Sequence, residues 1–114
     1  MSKAPLDTAL AALADPTRRA VVDLLRNGPR AAGELAQAMQ MSPPALSRHL
    51  RVLRHSGLVV GDGVAHDARL RMYRLEPSAF ASLRDWLDEL EAFWGEQLQA
   101  FAAHAAQASK RKAK

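Results

Sequence analysis

The 114-residue chain contains no cysteine, which excludes structural disulfides, thiolate zinc sites and thiol redox sensing. That absence agrees with a reducing compartment, and the expected location is cytoplasmic. No segment approaches the roughly 18 consecutive apolar residues of a membrane span, and Met1 to Arg30 holds no apolar run of signal-peptide pattern. A soluble chain with no membrane partner is expected. No Gly-rich phosphate loop and no catalytic triad pattern is present, so the sequence gives no support to an enzyme and names no catalytic residue. Aromatic residues are scarce at 5%, and both tryptophans and two of the three phenylalanines fall between Trp86 and Phe101.

What is present points to a helical protein. The apolar fraction is 48%, much of it alanine, which favours helix but adds little burial per position. The length fits one domain, near the size at which oligomerisation often supplies part of the core. Net charge is +4, unevenly placed: from Glu76 to Glu96 six acids face Arg84 alone, a net of −5 that leaves +9 for the rest. Such segregation assigns basic and acidic work to different surfaces.

Along the chain, Leu6, Leu10 and Leu13 share one helical face and predict a first helix over Pro5 to Leu13. In "DPTRRAVVDLLRNG", Asp15 is a capping residue, Pro16 suits the first helical position, and Asn27-Gly28-Pro29 ends the helix. Its buried side is expected from Val21, Val22, Leu24 and Leu25. "AAGELAQAM" reads as a short third helix with Leu35 and Met39 stacked on one face.

"SPPALSRHLRVLRHSGLV" then opens with Ser42 as N-cap and with Pro43 and Pro44 in positions whose N–H groups lack helical partners. Gly57 stops this helix after His55 or Ser56. At 100° per residue Leu46, Leu50 and Leu53 lie within about 60° of one another, a narrow apolar seam. Pro44, Ser47, Arg48, Arg51 and His55 point away from it. A helix docked by such a seam on a preceding short helix, with arginines and no acid outward, matches the second helix of a helix-turn-helix.

Arginine can hold guanine O6 and N7 together, and serine reaches phosphate or base, so double-stranded DNA is the expected partner. An ordinary solvated face is the plainer account of Ser47, Arg48 and Arg51, and the docking seam opposite them weighs against it. Arg54, on the border, is expected at phosphate. For His49, beside the seam, burial and phosphate contact both stay open. So do phosphate contact and ion pairing for Arg18 and Arg19, which oppose the dipole of their own helix. The expected DNA-contacting set is Ser42, Pro44, Ser47, Arg48, His49, Arg51, Arg54, Arg69 and Arg71.

"LVVGDGVAHDARLRMYRLEP" shifts to β-type residues around a turn-rich centre. It predicts a hairpin of Leu58 to Val60, a loop through Asp67, and a return strand from Leu70 to Leu75. Tyr73 and Leu75 would face inward, leaving Arg69 and Arg71 near the tip of a basic wing. Pro77 starts a long last helix in which Leu83, Trp86, Leu87, Leu90, Phe93, Trp94, Leu98 and Phe101 keep helical spacing. With Leu6 and Leu10, these residues form the expected interface of a homodimer. The carboxylate pairs Asp85/Asp88 and Asp88/Glu91 lie opposite that stripe and read as a solvated face. Residues 1–108 are expected to form one DNA-binding and dimerisation domain, and 109–114, "SKRKAK", a disordered basic tail.

Taken in order, "LADPTRRAVVDLL", "ELAQAM", "SPPALSRHLRVLRHSGLV" and "RMYRLEP" resemble the ArsR-type winged helix-turn-helix transcriptional repressors over most of Leu13 to Pro77. The third motif is the specific one. The resemblance implies a mainly α fold with a small β-hairpin wing, dimerising through its terminal helices, and a repressor that leaves an inverted-repeat operator on a signal. The family's cysteine pair, before the recognition helix, is replaced here by alanine and glutamine in "ELAQAM". Its site on the terminal helices would need more than the single His104. No metal site and no cofactor is therefore expected, and an unknown small-molecule or protein effector is left open. The competing expectation is a winged-helix protein-interaction module without sequence-specific DNA binding.

Overall fold

The computed structural model describes residues 3–62 and 66–112. Its elements run α1 (Lys3–Leu13), α2 (Pro16–Leu25), β1 (Arg30–Ala31), α3 (Ala32–Met39), α4 (Pro43–His55), β2 (Val59–Asp62), a 3-10 turn (Ala68–Leu70), β3 (Met72–Leu75) and α5 (Pro77–Lys112). They form two compact units, Met1–Ser82 and Leu83–Lys114. Within the first, the core gathers Val21 and Leu25 of α2, Leu35 of α3, and Leu46, Leu50 and Leu53 of α4, with Leu58, Val59 and Tyr73. Complete burial stabilises a Leu or Val side chain by roughly 1.5–3 kcal/mol, so this cluster accounts for most of the drive to dock α2, α3 and α4 together.

Local chemistry sets the helix ends. Asp15 stands before α2 in extended conformation and its Oδ1 accepts from the N–H groups of Thr17 (2.7 Å) and Arg18 (3.1 Å), as expected of a cap. Ser42 does the same for α4, its hydroxyl accepting from the Ala45 N–H at 3.3 Å. Between α3 and α4 the chain turns through Gln40 at φ 54°, and the Met41 N–H closes on the Ala36 carbonyl at 3.0 Å. A left-handed residue is a common way to end a helix, although glycine is the usual occupant.

Several sequence expectations need correction. The buried face of α1 belongs to Ala9 and Ala12, while Leu6 and Leu13 are half-buried and Leu10 remains 37% exposed. Val22 and Leu24 are likewise only half-buried, leaving Val21 and Leu25 to anchor α2. In the hairpin the return strand begins at Met72 rather than Leu70, because Asp67 caps a 3-10 turn: its carboxylate accepts from the Arg69 N–H at 3.0 Å and its carbonyl from Leu70 at 2.9 Å. The outgoing strand also reaches further than expected, to Asp62.

The sheet has three antiparallel strands in the order β1-β3-β2, not two. Arg30 pairs with Tyr73, and Gly61 pairs with Tyr73 from the other side. The approach at Gly61 is close: a Cβ there would stand 3.1 Å from the Tyr73 ring. Beyond the first unit, α5 carries the chain through Lys112; of the basic tail, 113–114 lie outside the described residues.

Candidate nucleic-acid interface

Helix α4 has two chemically opposite sides. Leu46, Leu50 and Leu53 are buried to within 3% of complete, whereas Pro44, Ser47, Arg48, Arg51, Arg54 and His55 are exposed. His49 lies between them, half-buried. Among the described residues, the guanidinium groups of Arg48, Arg51 and Arg54 make no hydrogen bond and no ion pair. The Arg54 side chain runs toward the base of the wing, its Nε 3.6 Å from where a Gly61 Cβ would be.

Most other arginines of the first unit are engaged. Arg18 donates through Nε to the Ala12 carbonyl at 2.6 Å, with a further bond to Ala11, and Arg19 donates to the carbonyls of Leu13 (2.8 Å) and Ala14 (3.1 Å). These two side chains cover the end of α1, where unpaired carbonyls and the helix dipole favour a cation. Of the roles considered from sequence, an ion pair is present for Arg18, to Asp15 at a long 3.9 Å. Arg30 similarly donates to the Leu24 carbonyl at 2.8 Å, at the end of α2. The Asp15 carboxyl is held below the ordinary carboxylate range, chiefly by the hydrogen bond from the Arg18 backbone; desolvation, the next largest effect, opposes it, and the hydrogen bond from Thr17 and the charges of Arg18 and His49 add to the lowering.

The two wing arginines differ. Arg69 sits on the 3-10 turn and holds Asp67 at 2.6 Å, an exposed pair that lowers the carboxyl pKa of Asp67 and raises that of Arg69 through their hydrogen bond. Arg71 is exposed and its side chain has no partner among the described residues. His66 is exposed; residues 63–65 before it lie outside the described residues. Arg74, not among the expected contacts, is engaged by Asp62 at 2.9 Å and Glu76 at 3.6 Å. The structure thus places Ser42, Pro44, Ser47, Arg48, Arg51 and Arg54 on the open side of one helix and Arg71 on the wing. It leaves Arg69 already neutralised.

In the second unit, α5 presents Trp86, Leu87, Leu90, Phe93, Trp94, Leu98 and Phe101 as exposed apolar side chains, from 36% at Trp86 to 71% at Phe101. Phe93 and Trp94 meet edge to face with ring centres 5.7 Å apart. Leu83 departs from the expected interface set, being buried at 7% exposure. Among the described residues no three His, Cys, Asp or Glu side chains gather as a metal-ligand set, and no helix is long and apolar enough to cross a membrane.

Comparison with known proteins gives this geometry a family. Residues 15–60, from the α2 cap to β2, match the model of the arsR family of bacterial regulatory proteins. The HTH-type transcriptional regulator Rv2034 of Mycobacterium tuberculosis is 43% identical over 96 residues, 84% of each chain. An ArsR-like transcriptional regulator from Rhodococcus sp. RHA1 superposes with a TM-score of 0.74 at 28% identity, over 92% of this chain and 94% of that one. A homodimeric winged helix-turn-helix DNA-binding domain, Mb0332 from Mycobacterium bovis, gives 0.60 at 28% identity, over 75% and 80%. The capped α2, the left-handed turn into α4, the hairpin wing and these likenesses lead to one assignment: the chain belongs to the arsR family of bacterial regulatory proteins, built as a winged helix-turn-helix.

Proposed function

We propose that the protein is a sequence-specific DNA-binding transcriptional repressor that works in the cytoplasm as a symmetric dimer. The observation carrying this reading is the set of guanidinium groups on α4 that have no partner among the described residues, opposite a buried docking seam, whereas Arg18, Arg19 and Arg30 are engaged by carbonyls. Arg48 and Arg51 read base edges in the major groove, Ser47 supports them, and Ser42, Arg54 and Arg71 hold phosphates. His49 contributes a phosphate contact from the margin of the seam. Arg69 acts mainly by fixing the 3-10 turn in the loop of the wing.

Dimerisation follows from α5. An apolar stripe that long, exposed to water, is unusual on a monomer, and a second copy covers it through a two-fold axis. The homodimeric Mycobacterium bovis neighbour supports that arrangement. Two copies of α4 then enter successive major grooves about 34 Å apart on an inverted repeat. Repression results from occlusion of the promoter.

The test is selection of bound fragments from genomic DNA by the purified chain, followed by binding assays on the selected site at several salt concentrations. The expected result is a palindromic site and an affinity that falls steeply with salt. Equal binding to all sequences, or none, would favour the protein-interaction module instead.

A further inference from the structure

Helix α3 is poor in side-chain volume where it faces the wing, and the deficit leaves a cavity. Ala32, Gly33 and Ala36 point at the 3-10 turn, and the backbone comes so close that a Cβ at Gly33 would stand 3.3 Å from both Cβ and carbonyl of Arg69. One end is therefore closed. Deeper in, the buried side chains of Leu46, Leu50 and Tyr73 form an apolar floor without filling the space, and about 330 Å³ remains. That volume lies at the lower end of the roughly 300–1,000 Å³ typical of small-molecule sites. Neither the core nor the proposed base contacts need it.

The rim has a definite sign. No carboxylate is among the residues lining the cavity; of the acids that flank lining residues, Asp67 is held by Arg69 and Glu34 accepts from the Ala31 N–H. Arg71 stands at the rim with the Ser47 hydroxyl and the Gln37 amide, and none of these three side chains has a partner among the described residues. An apolar chamber with a cation and two neutral hydrogen-bonding groups at its mouth suits a ligand with a flat apolar body and one anionic end. The sugar-phosphate backbone of DNA offers charge but no apolar body to fill the floor.

We infer that the space enclosed by α3, α4 and the 3-10 turn is a binding site for a small aromatic or branched organic carboxylate, held by Arg71 at the rim. Resting on the repressor reading, it has a regulatory consequence. Ser47 and Arg71 belong both to the rim and to the DNA-facing set, so a carboxylate seated there competes with the operator and acts as an inducer.

The experiment is an amide NMR titration of the full chain with 1-naphthoate, with uncharged 1-naphthamide in parallel. Saturable shifts are expected at Gly33, Ala36, Ser47 and Tyr73, with naphthamide weaker. Arg71→Gln lowers naphthoate affinity roughly two- to fivefold, the size of an exposed charge pair. Ala36→Met fills the chamber and abolishes binding; Ala68→Leu, at an exposed rim position, hinders entry without disturbing the core. Shifts confined to α5, or none at millimolar naphthoate, overturn the site. Adding naphthoate to the complex with a selected DNA fragment separates the two readings. Release of DNA supports induction, binding in the chamber without release removes the regulatory role, and binding by a chain that selects no DNA leaves the site standing while the repressor reading falls.

Discussion

Arg18, Arg19 and Arg30 carry the same guanidinium as Arg48, Arg51 and Arg54, yet the first three serve the fold and the second three are left to a partner. The difference is what lies within reach. At the start of α2 and in β1 the side chains meet the terminal carbonyls of a preceding helix, which accept them at 2.6–3.3 Å. On α4 the outward guanidinium groups meet no carbonyl among the described residues, and no acid is present on the helix itself. A count of arginines overstates the basic surface; helix ends take up part of it first.

The contrast between the buried and open sides of α4 can be broken by substitution. The largest effect is expected from Leu50→Ala, which should cost about 2–5 kcal/mol of folding stability in urea denaturation, because it leaves a hole in the seam. Next comes Arg51→Ala, expected to weaken binding to the selected site by about 1–3 kcal/mol while leaving the urea midpoint unchanged. If the loss is the same on every sequence, Arg51 holds phosphate rather than a base.

Smaller again is Arg18→Met, the mirror experiment. It should lower stability by about 1 kcal/mol through lost carbonyl bonds and leave DNA affinity intact under conditions where the variant is folded. A selective loss of DNA binding would move Arg18 to the other group. The smallest effect concerns pH. Asp15 has a carboxyl pKa below its unfolded value, so its stabilising contribution is complete above the unfolded pKa of about 3.9 and disappears as pH falls through the lowered folded value. Asp15→Asn should therefore flatten that part of the acid limb of a thermal-stability profile; an unchanged limb would show that the cap charge does not couple to folding.

The same contrast shows what a sequence discloses. The seam and outward face of α4 were legible because both depend only on helical period, and the caps at Asp15 and Ser42 because the capping side chain sits next to the groups it serves. The roles of Arg18, Arg19 and Arg30 were not, since each depends on where another helix ends in space. β1, with two residues, is too short to show a period, and the 3-10 turn hides in a stretch of strand-like composition. Leu10 and Leu13 have helical spacing whichever face is buried, so sequence could not show that Ala9 and Ala12 take the inside. The cavity beside α3 arises from small residues, whose effect appears only once the wing is placed against them.

The central claim, that unpaired arginines on α4 read DNA, is tested most directly by fluorescence anisotropy of a selected fragment and its scrambled counterpart, for the native chain and Arg48→Ala/Arg51→Ala. The account predicts strong preference for the selected fragment at physiological salt, lost in the double variant while its folding transition is retained. Equal affinity of the native chain for both fragments, or unchanged preference in the variant, would contradict it.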